Sequence, residues 1–268
     1  MIKQFEQIEI AGAENGFAIM LDGQALTTQA QTPIHVPTKK MAEKLMQEWE
    51  NAKQKNMQEN IIGAFDMQEI DIQAFDTQSF DAKTLPLTRI VSGAFDLSAQ
   101  EIDKQAARFV DYGKHDILCY RATHPDMLVE RQSEEWDPLI EWCAQTFALS
   151  FQQTTKLKPI EQPPETLEKL RALYIDKPNL GQGAADNPAP HLWQNGLSRF
   201  ATLSNSAILA LAVAAGQLAL DTVYELSFLD ELFQIEQWGV DEDALRRLTI
   251  LKQEMALLVD YFSLLTSE

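Results

Sequence analysis

Two turn signals, Asn15-Gly16 and Asp22-Gly23, bracket the alternating run Phe17, Ile19, Leu21. Asn-Gly and Asp-Gly tolerate the positive φ angles that a type I′ hairpin turn requires at its two central positions, so few other folds suit this stretch. Phe5, Ile8 and Ile10 supply a strand on one side. A further short strand around Ile34 and Val36 ends at Pro37. The chain is therefore expected to open as a three- or four-stranded antiparallel meander with one apolar face.

The period then changes. Thr38 can cap a helix running to about Lys55, in which Met41, Leu45 and Trp49 recur on one stripe. Ala64-Phe65-Asp66 next recurs as Ala74-Phe75-Asp76, Ser79-Phe80-Asp81 and Ala94-Phe95-Asp96. The unequal spacing fits no repeat unit. It suggests an insertion lying as strand or loop on the β domain; phenylalanines gripping a partner are the alternative. Regular patterning resumes at Pro86-Leu87-Thr88-Arg89.

From Leu97 onward the pattern is helical. Ser98 with Glu101 forms a capping box, Ile102, Ala106, Phe109 and Val110 make a buried stripe, and Gly113 is expected to stop it. Residues 116–121 look extended. A helix follows from Met127 to about Glu135, with Asp137-Pro138 starting another through Phe147. Loops at 152–164 and 176–190 flank an amphipathic helix carrying Leu167, Leu170, Leu173 and Tyr174. Three packed helices are expected at the end: an apolar, alanine-rich one over 198–216, one over 221–238 stopped by Gly239, and one capped by Asp241. The last should turn Leu245, Leu248, Met255, Leu258 and Phe262 inward. The expected fold class is α+β: a small N-terminal antiparallel β-rich domain over 1–96, with an insertion at about 56–83, then a larger all-helical domain over 97–268.

Charge narrows the function. Forty acidic against 22 basic side chains leave a net charge of -18, which repels phosphate backbones and anionic membrane surfaces. Nucleic-acid binding and membrane insertion are not expected. The N-terminal residues lack an apolar signal core, and the longest apolar run, Ala207 to Ala215, is about half of what a membrane-spanning helix needs. A cytoplasmic protein is expected.

Catalytic patterns are weak. Gly181-Gln-Gly183 opens no helix, and His35, His115, His124 and His191 are scattered without ligand spacing, so no metal or other cofactor is expected. Cys119 beside His115 or His124 is a candidate thiol nucleophile. However, Cys119 and Cys143 both have apolar neighbours, which favours inert buried thiols. On the acidic helix at 226–239, Leu226, Leu229 and Phe233 form a stripe while Asp230, Glu231 and Gln234 lie one turn apart. Such carboxylates suit acid–base work, a solvated face, or, beside Trp238, a protein-docking patch.

Asp116–Ala122 (DILCYRA), then Pro125, Leu128, Val129, Arg131 and Gln132, then Trp136-Asp137-Pro138-Leu139 with Trp142, resemble the signature of the ATP synthase assembly chaperones. These act on the alpha subunit of the F-type catalytic head. Leu21-Asp22-Gly23 with Leu26 and Thr28, Glu48-Trp49, Leu85–Arg89, Ser204–Val213 and Leu226–Asp241 match in the same order. The segments at 56–83 and 176–193 are longer than the family's pattern. The resemblance implies a non-enzymatic chaperone that binds newly made alpha subunit before it meets beta; a monomer is expected when it is free. It implies a partner-binding role for Asp230 and Glu231, with Gln234 and Trp238 beside them. It gives Asp116, Tyr120, Arg121, Arg131, Trp136 and Asp137 a structural or domain-interface role, with Cys119 and Trp142 in the same core and Asp116, Arg121 and Arg131 as buried ion partners. A general acidic holdase and a small acid–base or thiol enzyme are the alternatives.

Overall fold

A computed structural model describes residues 5–14, 16–28, 30–62, 85–156, 158–176, 189–239 and 241–266, with no side-chain account of 55–62. It divides into two compact units: Met1–Leu97 with Asp186–Leu192 and Leu264–Glu268, and Ser98–Ala185 with Trp193–Ser263. The fold is α+β, a small N-terminal antiparallel sheet followed by a larger helical part.

In the first unit, strand β2 (Gly16–Leu21) pairs antiparallel with β1 (Ile8–Ala13) on one side, and with β3 (Gln24–Ala25) and β4 (His35–Val36) on the other. The second turn is as expected: Leu21 pairs with Gln24, and Asp22 and Gly23 between them have φ of 48° and 77°. The first is shifted by one residue. Ala13 pairs with Gly16, so Gly16 opens the strand, while Asn15 lies outside the described residues. Gly16 is needed for space as well as for its φ of 133°, because a Cβ there would sit 2.2 Å from the Val36 carbonyl oxygen.

Helix α1 (Lys39–Ile62) starts as expected, with Thr38 Oγ1 accepting from the Met41 N–H at 3.2 Å and Met41, Leu45 and Trp49 fully buried. It runs past Lys55 into the stretch expected to be an insertion. The copies at Phe65, Phe75 and Phe80 lie outside the described residues. The fourth, Phe95, closes α2 (Pro86–Phe95) rather than forming strand or loop, its ring 5.0 Å from His35 and 4.4 Å from His191.

Helix α2 has no cap of its own; Glu48 supplies one from α1. Its Oε1 accepts from the Leu87 N–H at 2.7 Å, and Oε2 accepts from the Thr88 N–H at 2.9 Å and hydroxyl at 2.6 Å, while Trp49 Nε1 donates to Thr88 Oγ1 at 3.0 Å. The Glu48-Trp49 and Leu85–Arg89 motifs are thus two halves of one helix cap. Burial pushes the Glu48 carboxyl up, against the Thr88 hydroxyl and the two N–H donors. Glu48→Ala leaves two N–H groups at a helix start without their acceptor, and should cost about 2–3 kcal/mol in a urea unfolding titration.

In the helical unit, α3 (Ala99–Lys114) carries the expected Ser98–Glu101 capping box. Gly113 does not stop it: a Cβ there would meet Leu170 Cδ2 at 2.3 Å, so this glycine admits α5 (Pro164–Asp176) at close range. Residues 117–119 form a single 3₁₀ turn rather than a strand. One unbroken helix, α4 (Asp126–Phe147), replaces the two expected around Pro138. Pro138 removes only the N–H owed to the Glu134 carbonyl, and both residues are exposed, so water can satisfy that oxygen. The apolar stretch over 198–216 is split into α6 (Pro190–Ser204) and α7 (Ala207–Ala214) by Asn205 at φ 52°, and Ser206 caps α7 through the Leu209 N–H. All eight residues of α7 are buried. The stretch over 221–238 is likewise two helices, α8 (Leu220–Ser227) and α9 (Leu229–Trp238). Helix α10 (Glu242–Thr266) buries Leu248, Met255, Leu258 and Phe262 as expected but leaves Leu245 54% exposed. No helix among the described residues is long and apolar enough to cross a membrane.

Candidate partner-binding site

Asp116 lies at the centre of the helical unit and is fully buried. Its Oδ2 accepts from Ser206 Oγ at 2.9 Å and the Ile208 N–H at 3.0 Å, and its Oδ1 accepts from the Leu118 N–H at 3.1 Å. It therefore joins the 3₁₀ turn to the start of α7. Burial pushes its carboxyl up to about 7 against these donors, of which the Ile208 N–H opposes most.

The expected ion partners of Asp116 are engaged elsewhere. Arg121 donates Nε to the Leu118 carbonyl at 2.9 Å, Nη1 to the Gln132 carbonyl at 2.7 Å and Nη2 to Asp137 at 2.6 Å, with its guanidinium 5.2 Å from the Trp136 ring. Arg131 pairs at the surface with Glu236, 2.9 Å away. Tyr120 bridges to Thr154, its hydroxyl accepting from the Ile160 N–H at 3.3 Å, and Trp136 Nε1 donates to the Leu226 carbonyl at 3.1 Å. Trp142 is half-buried against Phe147, and the contacts described for all these residues lie within the helical unit.

The thiol-nucleophile arrangement is not formed. Cys119 and Cys143 are fully buried, and burial pushes both thiols above their ordinary range. His115 Nδ1 lies 3.4 Å from the Tyr120 hydroxyl, and His124 is exposed. Among the described residues no cluster of His, Cys, Asp or Glu could hold a metal ion.

What remains is the surface of α9. Asp230, Gln234 and Trp238 follow at four-residue intervals on one exposed stripe, whose end is Trp238 at 79% exposure. Beneath it Leu229 and Phe233 are buried and hold the helix down. Glu231, three residues before Gln234 and seven before Trp238, borders this stripe and is bonded to Arg247 of α10. Asp230 is not loose either: Gln132 Nε2 donates to its Oδ1 at 2.6 Å, and Gln132 Oε1 accepts from the Ala122 N–H at 2.8 Å. The buried Gln132 thus links the Arg121 segment to the acidic stripe. Gln132 and Glu236 fall within the signature segments and Arg247 in none, but only the placement of α9 beside α4 and α10 reveals what each of them bonds to.

Residues 3–144 match the model of the ATP12 chaperone protein family. The crystal structure of Atp12 from Paracoccus denitrificans is 31% identical, with a TM-score of 0.75 over 98% of this chain and 97% of that one. A point mutant of the P. denitrificans protein gives 31% identity and a TM-score of 0.76 over the same shares.

Proposed function

The chain belongs to the ATP12 chaperone family, and from that premise we propose that it binds the unassembled ATP synthase alpha subunit and promotes assembly of the catalytic head. The carrying observation is the exposed stripe Asp230–Gln234–Trp238, an acidic group and a large solvated aromatic ring on one braced helix face. Exposed tryptophan anchors beside charged groups are the usual concentration of binding energy in an interface. In this reading Asp230 and Trp238 contact the client, Gln234 lines the stripe between them, and Glu231 fixes the helix against α10. Asp116, Tyr120, Arg121, Arg131, Trp136 and Asp137 hold the scaffold beneath.

The activity is binding, not catalysis. Both thiols are buried, and the carboxylates of α9 are committed to Gln132, Arg131 and Arg247 rather than facing one another. The chaperone acts in the cytoplasm as a monomer, without cofactor, nucleic acid or membrane insertion, and its strong negative charge keeps an aggregation-prone client in solution.

Co-purification of the tagged chain from its own cells tests the client. Alpha subunit in roughly one-to-one amount without beta is the expected result. A broad set of unrelated proteins would indicate a general holdase instead.

A further inference from the structure

Helix α9 carries three carboxylates, and they do not meet the same kind of partner. Glu231 is bonded to Arg247 and Glu236 pairs with Arg131 at 2.9 Å, so both face a cation. Asp230 instead takes its hydrogen bond from a neutral group: the side-chain amide of Gln132 donates Nε2 to Oδ1 at 2.6 Å. Gln132 comes from α4 and is 1% exposed, whereas Asp230 is exposed. Among the described residues, Asp230 Oδ2 accepts no hydrogen bond.

The groups behind the amide fix which way it points. Gln132 Oε1 accepts from the Ala122 N–H at 2.8 Å, and a backbone N–H can only donate. The NH₂ end is therefore the end turned to Asp230. Arg121 Nη1 holds the Gln132 carbonyl at 2.7 Å, so this residue is pinned at its main chain as well as its side chain. Burial works against the Arg121 charge, Asp137 supports it most strongly, and Asp230 adds to that support. The hydrogen bonds of Arg121, however, go to Leu118, Gln132 and Asp137. A neutral donor orients a carboxylate without offsetting its charge, whereas an arginine bonded to it does both.

On the client reading given under Proposed function, we infer that Gln132 is the positioning residue of the site. It fixes the Asp230 carboxylate through Oδ1 and leaves Oδ2, its charge unpaired, for a lysine or arginine side chain of the alpha subunit. An arginine at position 132 would already occupy the place that the client cation has to fill.

The test measures affinity for purified alpha subunit in the wild type, Gln132→Met, Asp230→Asn and the double variant. Methionine keeps the length of the side chain and removes both of its hydrogen-bonding ends. Gln132→Met should weaken alpha binding about tenfold, yet add almost nothing in the Asp230→Asn background, because it acts through a charge that is no longer there. A glutamine that only supports the fold would give the same loss in both backgrounds. Asp230→Glu covers the case in which Gln132→Met does not fold. Position 230 is exposed, so that variant keeps the fold and the charge and moves only the carboxylate. It too should weaken binding about tenfold. Added salt should weaken binding by the wild type more than by Asp230→Asn, which lacks the charged contact. Equal losses in the two backgrounds, wild-type affinity in Gln132→Met or Asp230→Glu, or one salt dependence for the wild type and Asp230→Asn would each overturn the inference and leave the client reading intact. Failure of the unmodified chain to bind alpha would overturn both.

Discussion

Replacing Asp116 by alanine should destabilise the helical unit by about 3–5 kcal/mol, a large share of the roughly 5–15 kcal/mol that holds a typical protein folded. The substitution leaves the Leu118 and Ile208 N–H groups and the Ser206 hydroxyl without their acceptor in a region where Asp116, Leu118, Ser206 and Ile208 are all fully buried. Asp116→Asn keeps the shape but turns an amide NH₂ towards donors, so it should cost less than alanine and more than zero. The pH dependence separates the charge from the packing. The folded carboxyl titrates at about 7 against an unperturbed 3.8. The folded state therefore holds a proton that the unfolded chain releases between those values. Its contribution is fully present below about pH 4 and is lost as pH rises to about 7, at about 1.4 kcal/mol per unit. Urea midpoints measured across that window should fall with pH by this term in the wild type, and the Asp116→Asn variant should lack it.

The second large effect falls on binding and not on folding. Trp238→Ala removes a side chain that is 79% exposed, so stability should change by less than about 0.5 kcal/mol. Affinity for the alpha subunit should nevertheless fall about thirtyfold, the loss expected when a central aromatic anchor is truncated. Asp230→Lys should reduce it further, since it reverses the charge that the stripe presents and removes the acceptor of the buried Gln132 Nε2. Asp230→Asn separates these two effects, because it preserves an oxygen for Gln132 while removing the charge. The Lys variant's helical circular-dichroism signal should remain, since Leu229 and Phe233 still seat the helix. Glu231→Lys acts differently: it sets two cations, at 231 and Arg247, against each other and loosens α9 from α10.

What was legible in the sequence was whatever rests on local patterning. The hairpin at Asp22-Gly23, the caps at Thr38 and Ser98 and the buried stripe of α1 follow from turn chemistry and spacing alone. What failed depended on packing or on solvent. Pro138 reads as a helix start, but an exposed proline in the middle of a well-packed helix loses only one hydrogen bond, at a carbonyl on the exposed face. Gly113 reads as a stop, but its missing side chain makes room for Leu170. Asn205 breaks a run that reads as one apolar helix, because a left-handed residue is invisible to hydropathy. Of the acidic helix, the exposed stripe could be found by four-residue spacing. The different partners of the adjacent Asp230 and Glu231 could not, because Gln132 and Arg247 come from distant parts of the chain. The pairing of Asp116 with Arg121 or Arg131 failed for the same reason: three neutral donors reach the carboxylate first.

The central claim is selective capture of the alpha subunit through the α9 surface, and the most direct measurement is a titration of purified, unassembled alpha subunit with the wild-type chain and with Asp230→Lys, alongside an unrelated aggregation-prone protein. Saturable binding of alpha by the wild type near one-to-one, its loss in the variant, and no protection of the unrelated protein are the predicted results. Equal protection of both proteins, or unchanged alpha binding by the variant, would contradict the account.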